Sequence, residues 1–221
     1  GDLNDMQEEF VTILENSTAE IIVKKSRFIA SLFPVETEDE ANAIIESLKK
    51  KYWDANHNCY AYVIGASNPV MRFSDDGEPS RTAGKPMLDI LLAHKLTNVL
   101  AVVTRYFGGT LLGTGGLVKA YQGAVLEGLK NSKIITKQLG FVTSVITDYN
   151  MVGKLQHFAA TEDIAILSCE YTDIVNITFL LPSKKADMAT KKITELSNGS
   201  ASINILKQVY FTIIDGEALL L

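Results

Sequence analysis

The stretch Val99–Tyr106 constrains this chain more than any other. It is a near-continuous apolar run of strand length, and a strand without polar alternation must be covered on both faces. A glycine-rich bend follows at once, with Gly108, Gly109, Gly113, Gly115 and Gly116. Leu117, Ala120, Tyr121, Ala124 and Val125 then mark the apolar side of a helix. Strand, glycine bend and helix together call for a sheet with helices packed on it.

The segments around this unit fit the same layered plan. Ile21–Val35 reads as one strand carrying Lys24, Lys25 and Arg27. Thr37-Glu38-Asp39-Glu40 is a capping box ahead of a helix built on Ala41, Ile44, Ile45 and Leu48, and Lys49, Lys50 and Lys51 form its solvated C-terminal end. Strands are expected at Asn58–Ile64 and Val70–Phe73, an acidic turn at Asp75-Asp76-Gly77, and a helix opening near Pro86 on Met87, Ile90, Leu91 and His94. After Gly140 the pattern restarts. Strands at 141–147, 164–169, 174–181 and 203–214 alternate with helices at 151–160 and from Ser183 to about Leu196, the latter ended by Asn198-Gly199. The order β-α-β-β-α-β is the split, ferredoxin-like arrangement. The expected fold class is α+β in two domains, residues 6–137 and 138–221, without a long linker.

Charge and composition exclude several classes. A hydrophobic content of 47% excludes disorder, no apolar run approaches the length of a membrane span, and the two cysteines, Cys59 and Cys169, cannot form a disulfide scaffold. The net charge of −5 excludes a uniformly basic nucleic-acid binder. That average is uneven: residues 1–20 hold six acids and no base, residues 21–140 net +4, and residues 141–221 net −3 with no arginine. Anion chemistry is therefore expected in the first domain. Residues 1–20 lack the basic and apolar regions of a secretory signal, which points to the cytoplasm, and Met6 is expected as the natural start.

Three pieces between His57 and Tyr121 concentrate the polar chemistry. The bend from Gly108 to Gly116 lets backbone amides approach an anion at a helix start, with Arg105 beside it, but it matches neither a Walker A loop nor a dinucleotide fingerprint. The alternative for this bend is a tight strand-to-helix connection. Asp75, Asp76 and Glu78 offer oxygen ligands for a hard cation, or else a turn with a solvated glutamate. His57 and Cys59 share a strand face, where a buried, inert thiol is the commoner outcome than a nucleophile pair. Tyr60, Tyr62, Tyr106 and Phe107 are candidates for base stacking or for the core. His94 and His157 read as structural.

These pieces resemble the YigZ/YvyE family, the bacterial relatives of the eukaryotic IMPACT proteins. The resemblance is carried by Lys24-Lys25-Ser26-Arg27-Phe28, His57-Asn58-Cys59-Tyr60-Ala61-Tyr62, Asp75-Asp76-Gly77-Glu78-Pro79, Ala83-Gly84-Lys85-Pro86 and Val103–Gly109 with Leu112–Leu117, in family order. Arg81 stands where relatives often have a small residue. The resemblance implies a first domain like the second domain of a small-subunit ribosomal protein. It also implies a second domain like the last domain of elongation factor G. Eukaryotic relatives restrain the amino-acid-starvation kinase by competing for its activator, and some relatives have been labelled proline dipeptidases. The chain carries no His-Glu-x-x-His ligand helix.

The function expected from these readings is that of a cytosolic, non-enzymatic regulator of translation, without a cofactor. It binds RNA, the ribosome or a translation-associated protein through a groove on the first domain. The binding residues expected are Arg27, His57, Asp75, Asp76, Glu78, Arg81, Lys85, Arg105, Tyr106, Gly108, Gly109, Gly113, Gly115 and Gly116. The alternative is a metal- and phosphate-dependent enzyme using Asp75, Asp76, Glu78 and the glycine bend.

Overall fold

The computed structural model describes residues 7–221, so the expected start at Met6 lies outside the described residues. Contacts divide these residues into two compact units, 10–135 and 7–9 with 136–221. Both are α+β, as the sequence led us to expect.

In the first unit, strands β2 (Ser17–Val23), β3 (Ser26–Pro34), β4 (His57–Ile64), β5 (Val70–Ser74) and β6 (Val99–Tyr106) form one antiparallel sheet in the order β2-β3-β6-β4-β5. A further strand, β1 (Glu9–Ile13), precedes them. The apolar run sits at the centre, as its lack of alternation requires. Val99, Ala101 and Val103 pack toward helices α2 (Gly84–Ala93) and α3 (Gly113–Lys130), while Leu100 and Val102 pack toward α1 (Glu38–Lys51). Each face thus buries a separate apolar cluster, and burial of this kind is the main driving force for the fold.

Local chemistry sets the element ends. The Thr37 side chain accepts from the Glu40 amide at 3.1 Å, whereas the Glu40 carboxylate takes the Glu36 amide at 2.9 Å, one residue earlier than a reciprocal box. The single strand expected over 21–35 is two strands. Lys24 and Lys25 adopt φ of 45° and 68° and turn the chain between them, a conformation that a run of β-branched residues on either side conceals. The strand ends at 9–13 and 217–220 were not expected from the pattern.

In the second unit, β7 (Ile134–Thr147), α4 (Val152–Thr161), β8 (Ala165–Tyr171), β9 (Val175–Pro182), α5 (Ala186–Leu196) and β10 (Ser202–Ile214) follow the expected β-α-β-β-α-β order, with β11 (Glu217–Leu220) added at the edge. The sheet order β11-β10-β7-β9-β8 contains the split arrangement. Leu155, Phe158 and Ile193 of the two helices pack on Val145, Ile177 and Phe179. Ser183 opens a short 3-10 turn rather than capping α5 with its side chain.

Gly108 is fixed by close approach. A Cβ there would lie 2.1 Å from the Lys25 carbonyl carbon, so the glycine bend and the β2–β3 turn are packed backbone against backbone. At Gly115 a Cβ would meet nothing within 4 Å. Gly108→Ala should therefore cost about 2–3 kcal/mol through overpacking, whereas Gly115→Ala should be neutral or stabilise by up to about 1 kcal/mol. Denaturant midpoints at unchanged slope measure both.

Candidate functional site

The β-ladder places Phe28, Arg105 and His57 side by side, since Phe28 and His57 both pair with Arg105 across neighbouring strands. By strand alternation all three point to the side of the sheet covered by α3. Arg105 continues the Val99, Ala101, Val103 row, so a guanidinium enters at the edge of an apolar cluster. Its side chain is 7% exposed and meets Glu78, whose side chain is 4% exposed, with Nη1 donating to both carboxylate oxygens at 3.0 and 2.9 Å.

This ion pair is enclosed. The Tyr121 hydroxyl donates to Glu78 Oε2 at 2.6 Å, and the Arg105 Nη2 donates to Ser26 Oγ at 3.4 Å. The guanidinium carbon lies 5.5 Å from the Phe28 ring centre and 5.6 Å from that of Phe107. Phe28 in turn meets Tyr121 edge-on at 5.2 Å. The His57 Nε2 faces Glu78 Oε1 at 3.2 Å and its Nδ1 faces the Asp76 carbonyl at 2.8 Å. Both of those partners accept, so both contacts are hydrogen bonds only when the ring carries two protons. Burial raises the Tyr121 phenol far above its ordinary range, so it stays a donor.

The acidic turn before the site does a different job from the one its composition suggests. Asp75 accepts the Arg81 amide at 2.8 Å through one oxygen, and the Ala83 and Gly84 amides at 3.1 and 2.9 Å through the other. It thereby caps α2, whose own N-cap residue, Ala83, has no side chain able to do so. Asp76 accepts the Asn58 amide at 2.7 Å. The metal site of the enzymatic alternative does not assemble. Glu78 is bound to Arg105 and Tyr121, the two aspartates hold backbone amides, and among the described residues no group of three His, Cys, Asp or Glu is arranged to hold a metal. Cys59 is fully buried and donates to the Asp75 carbonyl at 3.1 Å, and burial pushes its thiol up, which makes it inert rather than nucleophilic.

Above the ion pair opens a cleft of about 480 Å³. Of the expected residues, His57, Glu78, Arg105 and Gly113 line it, together with Asn56, Pro79, Phe107, Leu111, Leu112, Thr114 and Leu117. The strand arginine, the acidic turn and the glycine bend therefore come together. Gly109 and Gly113 supply φ of 86° and 74° in the bend, and no side chain caps the start of α3. The expected cations do not all gather there. Arg27 pairs with Glu20 at 2.6 Å and lies 5.3 Å from the Tyr106 ring centre, Lys85 pairs with Asp89 on α2, and Arg105 is neutralised by Glu78. Tyr60 and Tyr62 stack on each other at 6.1 Å on the opposite sheet face, and the Tyr62 hydroxyl, whose pKa is raised to about 12 mainly by desolvation, donates to Glu38. Sequence reasoning missed Tyr121 as a polar member of the floor, because its helical spacing matches that of an ordinary core residue. It also missed Leu111 and Asn56, which no motif rule marks.

This arrangement belongs to a two-domain α+β protein with a closed polar floor beneath an open cleft. Residues 24–129 match the Impact N-terminal domain, and residues 145–200 match a domain of unknown function, DUF1949. The chain belongs to the IMPACT family. It is 39% identical over 198 residues to the IMPACT family member YvyE of Bacillus subtilis (strain 168), an alignment covering 90% of this chain and 91% of the relative. To the IMPACT family member YigZ of Escherichia coli (strain K12) it is 36% identical over 200 residues, covering 90% and 95%. A crystal structure described as that of an hypothetical protein is 34% identical, with a TM-score of 0.59 and coverage of 91% of this chain and 99% of that one. Family membership fits a regulatory role.

Two outcomes follow from the floor. Glu78→Ala leaves a buried guanidinium without its carboxylate and should cost about 3–5 kcal/mol, while Tyr121→Phe keeps the ring contact and should cost about 2 kcal/mol. Equilibrium unfolding by denaturant reads both. Iodoacetamide on the native protein should modify the half-buried Cys169 and reach Cys59 only after unfolding, as peptide mass spectrometry would show.

Proposed function

We propose that the chain is a cytosolic, non-enzymatic regulator that docks a translation-associated partner in the cleft of the first unit. One observation carries this reading: the ionisable groups of the cleft floor already have protein partners, while the residues at its mouth stand open. Leu111 is 82% exposed and Phe107 46% exposed, directly beside a buried, aromatic-sandwiched arginine. An apolar and aromatic mouth over a rigid, desolvated base has the character of a protein docking pocket, where a few anchors carry most of the affinity. The restraint of a starvation kinase that the family resemblance implies for eukaryotic relatives supports a partner in translation.

The floor also changes the balance of forces expected of the site. The expected groove, using the charges of Arg27, Arg81, Lys85 and Arg105, would bind polyanions through phosphate contacts. With Arg27, Lys85 and Arg105 each paired to a carboxylate, and Arg81 the one of the four without an ion pair among the described residues, apolar contact at the mouth outweighs charge. The test is co-sedimentation with purified ribosomes. Wild type is expected in the pellet, and Leu111→Asp, which puts a charge where the partner's apolar anchor sits, should weaken association roughly ten-fold or more. Absence of the wild type from the pellet, or equal recovery of Leu111→Asp, overturns the reading.

A further inference from the structure

Trp53 is the single tryptophan of the chain, and it is 81% exposed. It does not hang on a loose loop. The Tyr52 amide closes α1 by donating to the Leu48 carbonyl at 2.8 Å, and the Asn56 amide donates to the Arg105 carbonyl at 3.0 Å. The Asn56 side chain accepts the Phe107 amide at 2.8 Å, and Asp54 accepts the Tyr106 hydroxyl at 2.8 Å. The turn is thus tied to the end of β6 by backbone and side chain, and it holds a large apolar ring out in water.

The surroundings of that ring are aromatic and basic. The Lys51 ammonium lies 5.2 Å from the Tyr52 ring centre, and the Arg27 guanidinium 5.3 Å from that of Tyr106. Each of these two rings thus carries a cation close to it, Lys51 at Tyr52 and Arg27 at Tyr106. The Lys24–Lys25 turn lies against the Gly108 backbone at the same end of the sheet. Among the described residues Lys24, Lys25, Lys50 and Lys51 form no ion pair, whereas the nearby acids Glu20 and Asp54 are already bound to Arg27 and Tyr106. Positive charge is therefore left over around one exposed ring, Trp53, and two half-buried ones, Tyr52 and Tyr106.

We propose that this ridge, with Trp53 at its centre, is a stacking site for unpaired bases of single-stranded RNA. Bases stack on an exposed ring whatever their identity, and lysines on either side follow the phosphates. A duplex hides its base faces and cannot use the ring in this way. The ridge adjoins the cleft but uses none of its floor, so it can act with the cleft empty or filled. Only the choice of RNA over DNA rests on the translation-linked reading above.

The sole tryptophan makes the test direct, because intrinsic fluorescence reports this site alone. The probe is an oligouridylate of about ten nucleotides, titrated into the full chain at low salt. Saturable quenching is expected, with affinity that falls as salt rises. Anisotropy of the labelled oligonucleotide should show Trp53→Ala and Lys50→Glu/Lys51→Glu each binding roughly ten-fold or more weakly, with unchanged circular dichroism. No quenching by the oligonucleotide, equal quenching by duplex RNA or by heparin, or a Trp53→Ala variant that binds like wild type overturns the proposal. An equal affinity for oligothymidylate overturns the assignment to RNA. The titration contains no ribosome, so its failure beside intact, Leu111-dependent ribosome association removes the ridge alone and leaves the cleft reading standing.

Discussion

The ion pair between Glu78 and Arg105 is the constraint on which the site depends. Two charges removed from water attract strongly, yet their desolvation cancels much of the gain, so such a pair adds little net stability over an apolar replacement. Its effect is on geometry. Arg105 comes from the central strand, Glu78 from the loop before α2, Tyr121 from α3, and His57 from the neighbouring strand. Removing Glu78 or Arg105 leaves the other a buried charge without its counter-ion, which ties the elements that carry them to one arrangement. Through Tyr121 the pair links the sheet, the loop before α2 and α3 at the base of the cleft.

The same pair decides what kind of site this is. A free arginine at a glycine-rich helix start reads as an anion trap, and three acids in a row read as a metal loop. Once the Arg105 Nη1 and Glu78 pair and the aspartates hold amides, those charges are engaged, and only the Arg105 Nε and the uncapped start of α3 keep polar groups without a protein partner. What is left open is shape and apolar surface, which suits recognition. Cations without an ion pair among the described residues lie outside the floor, among them Arg81, Lys24 and Lys25 of the β2–β3 turn, and Lys50 and Lys51 at the end of α1.

Much of the fold was legible because periodicity reports burial. The Val99–Tyr106 run, the helix on Ala41, Ile45 and Leu48, and the β-α-β-β-α-β order of the second unit all declare themselves in side-chain spacing. The turn at Lys24 and Lys25 did not, since two lysines in left-handed conformation carry no glycine or asparagine signal. The site was legible in its membership but not in its pairings. Spacing shows that Arg105 and His57 occupy strands, but strand register alone makes them neighbours. Nor does anything in Asp75-Asp76-Gly77 reveal that the first aspartate reaches forward to cap a helix, because that bond depends on the path of the loop from Pro79 to Ala83. Tyr121 was hidden for the opposite reason, as its ring satisfies the apolar pattern so well that its hydroxyl draws no notice.

The floor of the cleft also has a history within the life of each molecule. Its polar members, Ser26, His57, Glu78, Arg105 and Tyr121, are drawn from three strands, one loop and one helix spread over most of the first unit's sequence. While the chain is being made, Glu78 emerges before both the arginine that pairs with it and the helix that carries Tyr121, and it cannot be buried favourably until they follow. The cleft consequently cannot form before the chain has been made as far as α3. A partner that docks there would therefore read whether the first unit has folded as well as what its surface offers.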